Sequence, residues 1–265
     1  GLKYSMGLTM PNNTINLIPM AGAGQRFRDA GYTLSKPLIL VEGKPMILRA
    51  CEALPIPTSW IFIVRKDFVQ AEETIAFLTK TYPGCQIIQI DYLTEGQAST
   101  CALAADFLPD DAPLLIGPCD NGMLWNREGY ERLVNDSKTD AIIWTFRNYP
   151  PAGKKPQMYG WVKTEGNRAF SVSTKIPISD TPLKDHAVVG TFYFRRAAQF
   201  KTAYKKMVAA NRRINNEFYV DELMNLLIED GMNVKVFEID KYLCWGTPDD
   251  LKTFEYWRRF FKEAY

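Results

Sequence analysis

The chain has 265 residues, 46% of them apolar, with a formal net charge of +2. That is enough apolar residue for one large core or two small ones. The near-balance of charge excludes a broad electrostatic attraction to nucleic acid or a membrane surface, and no apolar run approaches the roughly 20 residues needed to span a bilayer.

Residues 1–14 open the chain without the continuous apolar stretch of a secretory signal. They are expected to be a flexible leader, an expression remnant or the cut edge of a longer protein, with one domain over residues 15–265. Ile15–Met20, Trp60–Val64, Gln86–Ile90 and Pro113–Gly117 are short and apolar on both faces, as buried parallel strands are. Between them Pro45–Leu54, Phe68–Lys80 and Gln97–Leu108 carry helical patterns. Strand alternating with helix predicts an α/β fold, an α/β/α sandwich around a mixed, mainly parallel sheet.

In the second half Ala141–Phe146, Tyr159–Thr164, Ala169–Ser173 and Ala187–Arg195 are strand-like. Helices are expected over about 197–210 and 217–229, then a strand over Val234–Ile239. Residues 148–160, rich in Pro and Gly, are expected to form a long loop within the same domain. A last helix starts at "GTPDDL", where Thr247 can cap, Pro248 suits the first turn, and Asp249 and Asp250 meet the positive end of the helix. Leu251, Phe254, Trp257 and Phe261 fall near one face. That face is expected to be core, with a homodimer contact as the alternative.

Five scattered cysteines, with no C-x-x-C, predict reduced thiols in a cytoplasmic protein. His186 is the only histidine, so a zinc site or a serine–histidine triad lacks its parts.

The first strand runs into "AGAGQRF", then "SKPL". A dinucleotide loop would need a third glycine where Phe27 stands, and the Walker lysine motif is absent. What remains is a tight glycine turn, Gly22 and Gly24, that brings backbone N–H groups close to a phosphate. Two cations, Arg26 and Lys36, follow ten positions apart.

These residues, with GKPMI (43–47), TEGQAS (94–99), GPCDN (117–121), YGWVK (159–163), VVGTFYFR (188–195), NEFYVDE (216–222) and WGTPDDL (245–251), resemble in sequence and order the sugar-nucleotide pyrophosphorylases. The resemblance implies a nucleotide-diphospho-sugar transferase-like fold. It also implies transfer of NMP from a nucleoside triphosphate to a sugar 1-phosphate or similar phosphorylated acceptor, with release of pyrophosphate. Sugar-nucleotide supply for polysaccharide synthesis would be the setting. In-line attack by an acceptor phosphate, whose second pKa is about 6, needs no general base. It needs positioned cations and a metal.

The resemblance assigns Arg26 to the outer phosphates and Lys36 to the α-phosphate. Ala21, Gly22, Ala23 and Gly24 would contact the nucleotide through backbone groups, and Gly96 and Gln97 would read the base. Asp120, at the carboxyl end of a strand, would hold Mg²⁺. The family's second carboxylate falls on Cys244, a poor magnesium ligand; another acid such as Asp221 would have to help, or phosphates and water complete the shell. Lys175 would bind the acceptor phosphate, with Gly160 and Gly190 shaping the pocket. Glu217 and Asp221 would share one helical face toward the acceptor. Thr174 stands where the family has a sugar-binding glutamate, which puts the acceptor's identity in question.

A cytidylyltransferase acting on a phosphorylated alcohol, amine or phosphonate is the near alternative. A non-catalytic protein binding NTP or nucleotide sugar is another. A glycosyltransferase would need D-x-D, and Asp120 is followed by Asn121 and Gly122.

Overall fold

The computed structural model describes residues 11–22 and 24–263, so the expectations for residues 1–10 and for Ala23 lie outside the described residues. In the first half the elements are β1 (Ile15–Met20), α1 (Gln25–Asp29), β2 (Leu40–Val41), β3 (Lys44–Pro45), α2 (Met46–Glu52), β4 (Ser59–Arg65), α3 (Ala71–Thr81), β5 (Gln86–Ile90), α4 (Gln97–Ala102), β6 (Leu114–Ile116), β7 (Asn121–Leu124) and α5 (Arg127–Asn135). In the second they are β8 (Ala141–Phe146), α6 (Pro150–Lys154), β9 (Gly160–Glu165), β10 (Arg168–Thr174), β11 (His186–Phe194), α7 (Ala197–Ala209), α8 (Val220–Glu229), β12 (Val234–Glu238), β13 (Lys241–Cys244) and α9 (Pro248–Glu263).

Nine strands form one mixed sheet in the order β5-β4-β1-β6-β11-β8-β12-β10-β9. β5, β4, β1 and β6 run parallel, β12 is parallel to β8, and β11 is antiparallel to both β6 and β8. Side chains alternate across this sheet with period two. Leu17, Ile61, Ile63, Leu114, Ile143 and Phe192 pack on one face under α4, α7 and α8. Ile18, Phe62, Leu115, Ile142, Trp144 and Tyr193 pack on the other under α2, α3 and α5. Each such buried large side chain contributes about 1.5–3 kcal/mol. The result is the expected α/β/α sandwich with a single continuous sheet.

Several expectations change. The helix expected over 217–229 begins only at Val220. Asn215 and Asn216 turn the chain with positive φ, and Phe218 then exchanges backbone hydrogen bonds with Glu95 and Ala98. Glu217 therefore precedes the helix and does not share a helical face with Asp221. The helix expected over 97–108 stops at Ala102, followed by a 3-10 turn at Ala105–Phe107 before Pro109. In α9, Leu251 is 1% exposed, but Trp257 is 50% and Phe261 53% exposed, so only the first turns belong to the core. The ribbon of β7 with β13 and helix α5 were not foreseen; "DNG" gave a turn signal that masked a four-residue strand.

Residues 148–160 hold α6 and a 3-10 turn at Pro156–Met158. They are pinned, with Ala152 buried, Trp161 Nε1 donating to Pro156 O at 2.7 Å and Asn148 N donating to Leu183 O at 2.9 Å.

Candidate active site

β1 and β6 are parallel neighbours, so the loops that leave them open on the same carboxyl edge of the sheet, where open α/β sheets bind ligands. The loop after β1 carries Gly22 and Gly24; the loop after β6 carries Asp120. Gly24 adopts φ 62°, and a Cβ there would lie 3.0 Å from Lys36 Cβ. Glycine thus permits both the left-handed turn and the close passage of Lys36. Phe27, the residue that spoiled the dinucleotide pattern, is buried with Ile39, Val41, Met46, Trp245 and Leu251 in a small satellite core. That cluster fastens α1 beside the start of α9, and Arg26, next to Phe27, stays exposed.

Lys36 Nζ donates to Asp120 Oδ2 at 2.8 Å. Burial works against the ammonium, but the Asp120 carboxylate outweighs it and holds the Lys36 pKa above its ordinary value. Gly246 lies against the same carboxylate, where a Cβ would be 3.1 Å from Oδ2, and Trp245 N donates to Asp120 O at 3.2 Å. The thiol of Cys244, pushed up to about 12 by burial and by Asp250, is neutral and donates to Asp250 Oδ2 at 3.4 Å. Thr247 Oγ1 donates to that same oxygen at 2.8 Å. The acid that the fold brings beside Cys244 is therefore Asp250. "GTPDDL" signalled it only as a helix-start residue.

α4 packs on β1, with Ala98 and Cys101 joining Leu17 in the core and Ala21 lying against them. This places Gly96 and Gln97 next to the loop after β1. Gly96 has φ 125°, and a Cβ would lie 2.7 Å from the backbone N and O of Phe218. Only glycine fits. The same approach brings Glu217 beside Gly96, with Glu217 Cβ 3.1 Å from that position, rather than into line with Asp221.

The residues expected at the acceptor gather on β9, β10, β11 and α8. Lys175, itself at φ 63°, follows β10, donates its backbone N–H to Tyr159 O at 3.0 Å, and holds Nζ 5.7 Å from the centre of the Tyr219 ring. Tyr219 Oη donates to Glu217 Oε2 at 2.9 Å. Asp221 packs directly on Gly160, where a Cβ would fall 2.1 Å from Oδ2. Burial pushes the Asp221 carboxyl up to about 6, against the pull of Lys175. Gly190, at φ 106°, faces Pro118, and Asn121 Nδ2 donates to Val189 O at 3.1 Å. The acceptor-side glycine is thereby tied to the Asp120 loop. Thr174 is buried, with no hydrogen-bond partner for its hydroxyl among the described residues.

For a metal, the donor chemistry is that of a hard cation: the Asp120 carboxylate, on which Gly246 packs without a side chain, and the Asp250 carboxylate beside Cys244. Among the described residues no three His, Cys, Asp or Glu side chains form a ready-made cage. Mg²⁺ is commonly held by one or two carboxylates together with substrate phosphates, and these residues fit that mode.

Two cations also face this region without having been singled out in the sequence. Lys154 and Lys155 line the same cavity as Arg26.

The chain matches the Nucleotidyl transferase family over residues 15–258. A comparison with curated protein sequences returns no match. Among solved structures, the nucleoside-diphosphate-sugar pyrophosphorylase from Vibrio cholerae RC9 is similar at 22% identity and a TM-score of 0.73, covering 90% of this chain and 98% of that one. A protein described as a glucose-1-phosphate thymidylyltransferase from Bacillus anthracis, solved with sucrose, is similar at 19% identity and a TM-score of 0.73, covering 93% and 95%. The inositol-1-phosphate CTP transferase from T. maritima is similar at 14% identity and a TM-score of 0.67, covering 93% and 96%. At these identities the structural likeness speaks for the fold, and the match over residues 15–258 establishes that the chain belongs to the nucleotidyl transferase family.

Proposed function

We propose that the protein transfers a nucleotidyl group from a nucleoside triphosphate to a small phosphorylated acceptor, a sugar 1-phosphate or a similar phosphorylated alcohol, releasing pyrophosphate. The observation that carries this reading is the meeting of Lys36 and Asp120 at 2.8 Å on the carboxyl edge of β1 and β6, beside the Gly22–Gly24 turn. A cation for a phosphate and a carboxylate for a metal stand where one α-phosphorus can be reached from both.

In this reading the triphosphate lies along the loop after β1, its base beside Gly96 and Gln97. Lys175 holds the acceptor phosphate, with Gly160, Gly190 and Asp221 bounding the rest of that molecule. An acceptor phosphate oxygen attacks the α-phosphorus, the bond to the bridging oxygen breaks, and the electron pair leaves with pyrophosphate. Lys36 neutralises charge growing on the α-phosphate, and Arg26 takes the leaving group in its planar fork. Mg²⁺, held through Asp120, would supply charge neutralisation across the phosphate oxygens. No proton need be moved, in keeping with a chain whose one histidine, His186, is hydrogen-bonded to Thr145 at 2.7 Å on β8.

Buried Thr174 favours acceptors that do not depend on a carboxylate contact from that position, so phosphorylated polyols and other alcohols stand beside sugar phosphates. The test is incubation with each NTP, Mg²⁺ and a panel of phosphorylated acceptors, following pyrophosphate. One NTP–acceptor pair should turn over, and Arg26→Ala should remove nearly all of that turnover without loss of fold. Nucleotide binding with no pyrophosphate from any pair would instead identify a non-catalytic binding protein.

A further inference from the structure

Arg26, Lys154 and Lys155 line one cavity of about 690 Å³. The start of α9, Thr247 to Asp250, forms a further wall. That wall continues from Gly246, which lies against Asp120.

The two lysines are carried on a fixed support. Gly153 packs so closely on Leu183 that a Cβ would lie 2.9 Å from its Cγ, and Pro156 O is held by the Trp161 indole. Three carboxylates line the same space, yet among the described residues neither lysine is in an ion pair with any of them. Asp29 is instead bonded to Gln25 at 2.6 Å, and Asp250 to Thr247 and Cys244. Three cationic side chains from two distant stretches of sequence thus converge on one space without taking up the available anions. A solvated lysine pair on a loose loop would need neither the anchoring nor the convergence.

We propose that Lys154 and Lys155 complete, with Arg26, a cradle for the β- and γ-phosphates and hence for the leaving pyrophosphate. The ligand class is an inorganic or nucleoside polyphosphate. The proposal rests on the nucleotidyl-transfer reading and adds its leaving-group side. As the α-phosphorus gains the acceptor oxygen and loses the bridging one, negative charge moves onto the pyrophosphate. One arginine meets only part of it. Two more cations stabilise the departing group, and their exposed position leaves it free to dissociate afterwards. Lys175, Gly160 and Gly190, assigned to the acceptor, and Gly96 and Gln97, assigned to the base, do not line this cavity, so the effect of the two lysines is assigned to the outer phosphates.

The experiment is calorimetric binding, in Mg²⁺, of inorganic pyrophosphate, of the NTP used and of the matching NMP to wild type, K154A/K155A and K154R/K155R. Loss of two charge-assisted contacts should weaken pyrophosphate and NTP binding by roughly 10- to 100-fold in the alanine pair. NMP binding should be unchanged, and the arginine pair should retain most of the wild-type affinity. In turnover the KM for NTP should rise while that for the acceptor stays. Equal pyrophosphate affinity in wild type and K154A/K155A, or an equal loss for NMP, overturns the cradle. A wild type that binds pyrophosphate through these lysines yet never releases it from an NTP leaves the cradle standing and removes the transfer reading.

Discussion

Lys36 Nζ and Asp120 Oδ2 lie 2.8 Å apart, although 84 positions separate them in the chain. The cation proposed for the α-phosphate and the carboxylate proposed for the metal thus satisfy one another in the protein alone. Because the Lys36 pKa is raised, the stability from the pair is complete below the ordinary 10.5 and is lost only as pH climbs through the raised value. Across the neutral range the Lys36 ammonium keeps its charge. In the proposed reaction both residues serve one α-phosphate, so Lys36→Met and Asp120→Asn should each lower kcat by about 100-fold or more, and the double variant by little beyond the worse single one. A double-mutant cycle on pyrophosphate release checks this; losses that simply multiply would mean that the two act separately.

The carboxyl of Asp221 has an ordinary pKa of 3.8 and is pushed up to about 6 by burial against Gly160. Below about 4 the folded and unfolded chains are both protonated there, and nothing is lost. Between about 4 and 6 the unfolded chain releases the proton while the folded one keeps it, so stability falls as pH rises; above 6 the deficit is constant. Asp221→Asn keeps the shape and removes the titration. The Tm of this variant relative to wild type should rise between pH 4 and 6 and then level off. A Tm difference independent of pH would place the Asp221 carboxyl in water rather than against β9.

In the parallel half β1 was legible because it is buried on both faces, whereas β5, expected to be equally buried, is an edge strand with Gln86 and Gln89 exposed. Both strands have the bounds expected for them, Ile15–Met20 and Gln86–Ile90. Glu217 was not legible, since the next residue, Phe218, bonds through its backbone to Glu95 and Ala98, more than a hundred positions away, and that tertiary contact overrides a helical pattern. For the site, the types and order of Gly24, Arg26, Lys36 and Asp120 could be read directly, but the contact of Lys36 with Asp120 could not, because it depends on β1 and β6 being neighbours. Asp250 and Lys154 carry no local signal beyond a helix start and a polar loop. Asp250 is brought beside α1 by the satellite core around Phe27, and Lys154 is positioned through Ala152, which is buried in the main core; both placements are tertiary.

Helical periodicity put Leu251, Phe254, Trp257 and Phe261 on one stripe, but the body of the protein ends beneath the first turns. Leu251 packs with Phe27 and Trp245, whereas Trp257 and Phe261 are half exposed. Truncation should follow burial, not hydrophobicity. Leu251→Ala should cost about 2–5 kcal/mol in urea unfolding. Trp257→Ala and Phe261→Ala, at half-exposed positions, should each cost about 1 kcal/mol or less. Comparable losses at all three positions would show that the distal turns of α9 are covered in solution, as a second copy of the chain would cover them.

Cys244 offers the sharpest test of how the carboxylates are arranged. Its neutral thiol sits 3.4 Å from Asp250 Oδ2 and, through the pairing of β13 with β7, beside Asn121 and hence Asp120. Placing an aspartate there adds an acid to a region that already has two. Without a cation the like charges repel, one carboxyl is forced toward its protonated form, and the fold pays for it. Cys244→Asp should therefore melt about 3 °C or more below wild type in the presence of a chelator, a shift on the order of 1 kcal/mol for a chain of this size. Millimolar Mg²⁺ should restore most of that difference, because a divalent ion shared by two carboxylates removes the repulsion. The Mg²⁺ concentration for half-maximal turnover should fall as well. Cys244→Ser, which adds no charge, should show neither effect. A Tm deficit of the same size with and without Mg²⁺ would mean that position 244 does not look onto the metal side of Asp120.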